Sequence, residues 1–377
     1  MISRIRAAAC AATLLLASTT AVHAAPLYTV DFLPDGFRGT RLNDLGQVVG
    51  AAGGIAALYS AGTVTTVAPA PSDGAGINNQ GDVTGFLTPY NAAFTNIGGT
   101  FVDISGIVAG PNIESFGIAI NDQGAVGGNI YVGGEHTRGF IYQNGVVDEI
   151  GTFGGDYSPL TALNNHGAAT GYAAFAGPAG GYFHAYIYQD GTLQDLGTLS
   201  GSAPGVNSFG SDINDLGQVA GWSGSRPVLY SGGTMIDLSS PETYAGAAQA
   251  LNDAGVVVGY AVFSPAPGEP DWHAFVYDGA ALVDLNTLVD APAGWQLTTA
   301  MDINDAGQIL GTACQAGSCA SVLLTPVPEP AAGFLLLAGL GVLAARGARC
   351  GRAASVARYC VLGTSDASEP FGAGRQA

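Results

Sequence analysis

The fold this sequence predicts is all-β: a seven-bladed β-propeller with about four strands per blade, closed by the N-terminal strand. Three observations predict it. A ten-residue phrase, seen in "SDINDLGQVAGW" at 211–222, returns seven times along 377 residues. A second hairpin-like module lies between most copies. The composition is 58 Gly with only 11% charged residues and no Lys, which suits β structure with many tight turns, because Gly supplies the positive φ that turns need. Hydrophobic content of 47% is too high for disorder.

The phrase reads apolar–Asn–[Asp/Asn]–x–Gly, then small or apolar residues and usually a second Gly. It occurs at Asn43, Asn78, Asn121, Asn164, Asn214, Asn252 and Asn304, with spacings of 35, 43, 43, 50, 38 and 52, averaging 43.5. That period is near a propeller blade and too long for one β-helix coil. Asn and Asp side chains accept hydrogen bonds from the backbone two residues on and tolerate left-handed conformations. The Gly absorbs the remaining positive φ. The flanking runs, such as "DI" and "QVVG", read as two strands of a hairpin.

The second module is clearest in "HAYIYQDGTLQDLGTL" (184–199) and "HAFVYDGAALVDLNTL" (273–288). "RGFIYQNGVVDEIGTF" (138–153) and "RPVLYSGGTMIDLSS" (226–240) share its layout, and 92–106 and 55–69 are weaker copies. An alternating apolar run ends in Tyr, a Gly turn follows, and a second run ends near Asp-Leu. One repeat therefore holds four short strands, the content of a blade. After the turn at Asn304 a fourth strand is missing. "LYTVDFLP" near the N-terminus matches that strand, with Asp31 in the place of Asp195 and Asp284, so one blade is expected to draw on both ends of the chain.

The ends carry addresses. "MISRIRAAACAATLLLASTTAVHAAP" has Arg4 and Arg6, an apolar run and small residues before a cleavage point, the layout of a secretory signal. Residues 1–24 are expected to be that signal peptide, cut between Ala24 and Ala25. Residues 25–326 then form the propeller. At 327–352, Pro328-Glu329-Pro330 precedes fifteen apolar or small residues from Ala331 to Ala345, and Arg346, Arg349 and Arg352 follow. This reads as a C-terminal transmembrane helix held by cytoplasmic charge, although fifteen residues is short of the ~20 of a free-standing span. The tail 353–377 is expected to be disordered.

The Pro-Glu-Pro triad, apolar span and Arg cluster resemble, in that order, the PEP-CTERM sorting signal of exopolysaccharide-making Gram-negative bacteria. The resemblance implies an exosortase partner, a membrane transpeptidase that removes the anchor. It also implies release at the cell surface or outside, with exopolysaccharide as a companion. Family members usually end soon after the Arg cluster, whereas 25 residues follow Arg352 here. The paired "HAFVY" and "INDAG" phrases are similar to the HAF repeats of extracellular bacterial proteins over about 27–325. That resemblance implies a compartment but no agreed activity.

Between the addresses, 26 Asp and Glu face four Arg (38, 41, 138 and 226), a net charge of −22. Nucleic acid is excluded as a partner, since phosphate neutralisation requires clustered cations. Cys314 and Cys319 flank "CQAGSC", and export favours a hairpin-closing disulfide there. His136, His184 and His273 begin third strands, and Tyr59, Tyr142, Tyr188, Tyr230 and Tyr277 recur at equivalent places. Both sets read as blade packing before catalysis or carbohydrate stacking. Asp103, Asp148, Asp195, Asp237 and Asp284 read as acceptors for turn amides.

No cofactor, metal ligand set or catalytic residue is expected. Calcium stays open as an alternative, but it needs six to eight oxygens in one place, and each "ND" turn offers one or two. G-x-S-x-G, H-E-x-x-H, paired C-x-x-C and Walker A patterns are missing. The expected function is a non-enzymatic exported repeat protein of the cell surface or exopolysaccharide matrix. The alternative is an extracellular glycan-binding or glycan-active propeller. Acidic residues gathered with Trp222, Trp272 or Trp295 around one concavity would favour that alternative.

Overall fold

The computed structural model describes residues 27–327 apart from 112, 134–135, 178–180, 201–204, 242, 244 and 264–270. The signal peptide, Ala24 and Ala25, the Pro328-Glu329-Pro330 triad, the transmembrane helix and the tail lie outside the described residues. Among the described residues no helix is long and apolar enough to cross a membrane.

Seven four-stranded antiparallel sheets follow one another along the chain. Blade 1 contains β2 (Phe37–Leu42), β3 (Val48–Ala52), β4 (Ile55–Ser60) and β5 (Thr63–Thr66). Blades 2 to 6 supply β6 to β25 in the same consecutive order. Blade 7 has β26 (Gln296–Ile303), β27 (Ile309–Gln315) and β28 (Ser318–Pro326), and its fourth strand is β1 (Tyr28–Phe32). β1 pairs with β28 from Tyr28↔Pro326 to Phe32↔Val322. The expected closure by the N-terminal strand is therefore present. Its register corrects one equivalence: Phe32, not Asp31, stands level with the position Asp195 and Asp284 hold in their blades. The Phe32 ring packs edge-on against Trp295 at 4.8 Å.

The strands differ as their places demand. Second strands such as "VVG" and "VAG" are buried on both faces, because a blade stacks on each side of them. Fourth strands such as "TVTT", "TLQD" and "TMID" are largely exposed. They are four residues long and polar, which blunts an open edge against pairing with another chain.

The core is divided into seven apolar slabs between neighbouring blades. Leu33, Phe37, Leu42, Val48, Leu310 and Leu323 fill the space between blades 7 and 1. Leu285, Leu297, Ile309 and Leu324 fill that between blades 6 and 7. In blades 2, 3, 4 and 6 the aromatic of the third strand is the largest insert: Phe94, Phe140, Tyr186 and Phe275 are fully buried, each stabilising by about 1.5–3 kcal/mol; blades 1, 5 and 7 have Ala57, Val228 and Val322 there. The second Gly of the phrase answers to the facing first strand, which is bulged in every blade: an added Cβ would collide with a carbonyl of that strand, and in blades 2, 3, 4 and 6 with the ring as well. At Gly128 an added Cβ would sit 2.2 Å from the Phe116 carbonyl oxygen and 2.5 Å from the Phe140 ring. The facing strand shifts register between Gly117 and Ala119, which pushes that carbonyl toward Gly128.

Candidate functional site: the two ends of the channel

All seven Asn-[Asp/Asn] turns gather at one end of the channel around a single concavity. Their geometry explains the residue types. The side-chain oxygen of Asn164 accepts from the backbone N–H of His166 and Ala168, which shapes the turn, while Gly167 takes φ +77°. Its side-chain amide donates to the carbonyl of Asn214 in the next blade at 2.9 Å. Every copy does the same, from Asn43→Asn78 round to Asn304→Asn43, at 2.9–3.1 Å. The first position must both accept and donate, so Asp cannot serve there.

A second circle runs beside the first. The backbone N–H of Asp44, Asn79, Asp122, Asn165, Asp215, Asp253 and Asp305 each donates to the side-chain oxygen of its counterpart in the next blade, at 2.8–2.9 Å. This position only has to accept, so Asp and Asn interchange. Burial and the neighbouring carboxylates Asp253, Asp44 and Asp215 push Asp305 above its usual range. The turns themselves are local and can be read in the sequence; the two circles need seven copies in space.

Inside the channel, Arg41, Asp212 and Asp302 line a cavity of about 150 Å³. They occupy the same position, two residues before the turn Asn, in blades 1, 5 and 7. Asp302 is buried and accepts from the N–H of Leu42 in blade 1 at 2.6 Å. Asp212 accepts from the N–H of Leu251 in blade 6 at 3.0 Å. Burial lifts Asp302 to about 7 against the opposing pull of Arg41, with Asp212 adding to the rise.

The other end of the channel is aromatic. Phe209 and Trp222 stack at 4.0 Å in blade 5, and Phe209 meets Tyr172 of blade 4 edge-on at 4.6 Å. Tyr172 contacts Tyr157 and Phe183, each at 5.8 Å. Further round, Phe86 of blade 2 meets Phe116 of blade 3 at 4.9 Å, and Phe116 meets Tyr131 at 5.7 Å. These rings form an arc over blades 2 to 5. Within it lies a pocket of about 880 Å³ lined by Tyr131, His136, Asp156, Tyr157, Tyr172 and Phe209 among others. A second concavity of about 460 Å³ at the channel mouth shares Tyr131, Tyr157 and Tyr172 and reaches Arg41. Burial, and then Tyr157, hold the Tyr172 phenol well above its usual range.

The side chains singled out in sequence are mostly placed elsewhere. Tyr188 and Tyr230 are buried between blades, where Tyr188 donates to Asp148 at 2.7 Å and Tyr230 accepts from Gln194 at 3.1 Å. Asp103, Asp195, Asp237 and Asp284 accept from the N–H two residues on. Asp148 does not belong with them: Glu149 holds the equivalent register. His184 and His273 pair through Nδ1 with Asp195 and Asp284. Burial pulls His273 down, but Asp284 and Asp271 on its two nitrogens hold it above its usual value. His136 is not their equivalent, because Arg138 stands in that register. It is half-exposed instead, 3.8 Å from Asp156 at the pocket. Trp222 belongs to the arc, whereas Trp295 packs on Phe32 and Trp272 on Tyr260. Cys314 and Cys319 form a disulfide across the β27–β28 hairpin. Among the described residues no group of three or more His, Cys, Asp or Glu is arranged to hold a metal ion.

Two of the pocket-forming residues carry a repeat signal: Tyr172 follows the second Gly of the phrase as Phe86, Trp222 and Tyr260 do, and Phe209 shares its first-strand position with Phe116. Tyr131 and Tyr157 lie outside that pattern. For these two the one available cue was their crowding with the others into blades 3 to 5 at the strand ends opposite the turns.

Fold and C-terminus together define a class: a closed seven-bladed β-propeller bearing an exosortase-type sorting signal. A profile described as the PEP-CTERM protein-sorting motif matches residues 326–353. No curated protein sequence is similar to this chain. Among solved structures it is similar to a gluconolactonase from Xanthomonas campestris, at 13% identity and TM-score 0.45 over 82% of this chain and 94% of that one. It is also similar to the β-propeller domain of the Trilobed protease from Pyrococcus furiosus, described as having an open velcro topology, at 10% identity and TM-score 0.42 over 80% and 86%.

Proposed function

We propose that this protein is exported, sorted by an exosortase at Pro328-Glu329-Pro330, and acts at the cell surface or in the exopolysaccharide matrix by binding glycan at its aromatic end. The observation that carries the glycan reading is the arc of half-buried rings around the 880 Å³ pocket. Sugar rings present apolar C–H faces and polar edges, and aromatic side chains with hydroxyl tips meet both needs. Asp156, His136 and the tyrosine hydroxyls supply the polar contacts. Trp222 stacks behind Phe209 of this arc and lines neither concavity.

The protein acts by binding and not by turnover. The paired imidazoles of His184 and His273 are tied to carboxylates of their own blades, which supports a structural use for them. A glycan array probed with the mature chain tests the reading. Binding to a subset of glycans, lost on Phe209→Ala, is the expected result. A blank array with folded protein overturns it. Release of sugar or lactone product would overturn the non-enzymatic part alone.

A further inference from the structure

The aromatic end is not only apolar but almost empty of positive charge, and that limits which glycans it can take. Resting on the glycan reading above, we infer that its ligand is an uncharged polysaccharide segment and that acidic, uronate-bearing chains are excluded.

The charges around the site support this. Among the described residues lining the large pocket, the titratable groups other than tyrosine are Asp156 and His136, 3.8 Å apart and both open to solvent. Tyr172 stays a neutral phenol, held there by burial and by Tyr157. Among the described residues no Arg lines that pocket. Among the described residues Arg41 is the one Arg at the channel mouth, and it shares a cavity with Asp212 and Asp302, whose carboxyls feel its charge. Arg38 is paired with Asp73 at 3.0 Å, and Arg226 with Asp237. A polyuronate would bring a row of carboxylates against Asp156 with no guanidinium fork to receive them, and such a fork is the usual device for binding carboxylate. The surrounding domain, at net −22 over 25–327, repels the same polymer during approach. An uncharged sugar chain meets neither obstacle. It can lay its C–H faces on Tyr172 and Phe209 while its hydroxyls reach Asp156, His136 and the Tyr157 hydroxyl.

The shape fits a chain segment. The two concavities share Tyr131, Tyr157 and Tyr172 as a common wall, so a ligand in the pocket can continue over the channel mouth.

The test is affinity electrophoresis of the mature chain against two sets of polymers. One set is uncharged: dextran, laminarin, galactomannan and soluble xyloglucan. The other is acidic: alginate, polygalacturonate and hyaluronan. The expected result is retardation by at least one uncharged polymer, with dissociation constants at least tenfold below those for every acidic one. Tyr172→Ala and Phe209→Ala should weaken that binding at least tenfold. Asp156→Lys, on an exposed side chain that leaves the packing alone, should lower the dissociation constant for an acidic polymer at least fivefold. Acidic polymers bound as tightly as uncharged ones by the wild type, or no response to Asp156→Lys, would overturn the inference while leaving glycan binding intact. Retardation by neither set would instead overturn the glycan reading on which it rests.

Discussion

Asn304 of blade 7 donates its side-chain amide hydrogen to the carbonyl of Asn43 in blade 1, 2.9 Å away and 261 residues apart in the chain. Six shorter links of the same kind complete the circle. The contact joins the last turn to the first, so ring closure is held in two places. One is the β1–β28 ladder at the rim, and the other is the channel side, where this bond is joined by those from the Asp305 N–H to Asp44 and from the Leu42 N–H to Asp302.

The two positions of the turn should differ in their tolerance of an Asn–Asp exchange. Asn252→Asp removes the donor to the Asn304 carbonyl and adds a charge in its place. It should cost about 1–3 kcal/mol and lower the melting temperature by several degrees. Asp253→Asn keeps the oxygen that accepts from the Asp215 N–H, and should change stability by no more than about 0.5 kcal/mol. Thermal melts of the two variants side by side decide it. Equal losses would mean that the first circle holds nothing beyond the turn itself.

Asp302 should leave a mark on the pH dependence of stability. Its folded value of about 7 stands above the ~3.9 of an unfolded Asp. The folded state therefore holds a proton that the unfolded state has released, and the contribution present at low pH is lost as pH rises from about 4 to 7. Asp302→Asn keeps one acceptor for Leu42 and cannot ionise beside Asp212. Its melting temperature relative to wild type should rise between pH 4 and pH 8. A constant or falling difference would show that Arg41 already keeps Asp302 ionised.

Removing residues 26–34 takes away β1 and exposes the edge of β28. Because the slab between blades 7 and 1 includes Leu33, the deletion should lower the melting temperature of the whole domain, not fray one end. An unchanged melt with one lost strand by circular dichroism would show that the contacts at the channel close the ring without β1.

Gly128→Ala tests the bulge. Its Cβ would meet the Phe116 carbonyl and the Phe140 ring at distances no real contact shows, so a loss of about 1–3 kcal/mol or more is expected. Gly124→Ala, where nothing lies within 4 Å, isolates the cost of φ +73° alone. Urea melts of both variants should rank Gly128→Ala as the more damaging.

Much of this fold was legible in the linear sequence. Seven Asn-[Asp/Asn]-x-Gly turns, the modules between them and the unmatched "LYTVDFLP" specified the number of blades, four strands each and the strand that closes the ring. Local chemistry is enough for that: an Asx turn and a Gly with positive φ act within five residues, and a repeat announces itself by recurring. Tertiary structure decided the rest. Only the assembled ring shows that Asn at the first turn position donates to the next blade, since that partner lies 35 to 52 residues away, or 261 at the seam. Only it reveals that Glu149 and Phe32 hold registers the sequence assigned to Asp148 and Asp31, because a one-residue shift moves a side chain to the other face. The aromatic end was partly hidden for the same reason. Tyr172 and Phe209 recur with the repeat, as Phe86, Trp222 and Tyr260 and as Phe116 do, but Tyr131 and Tyr157 lie outside it, and only the assembled blades bring the four together around one pocket.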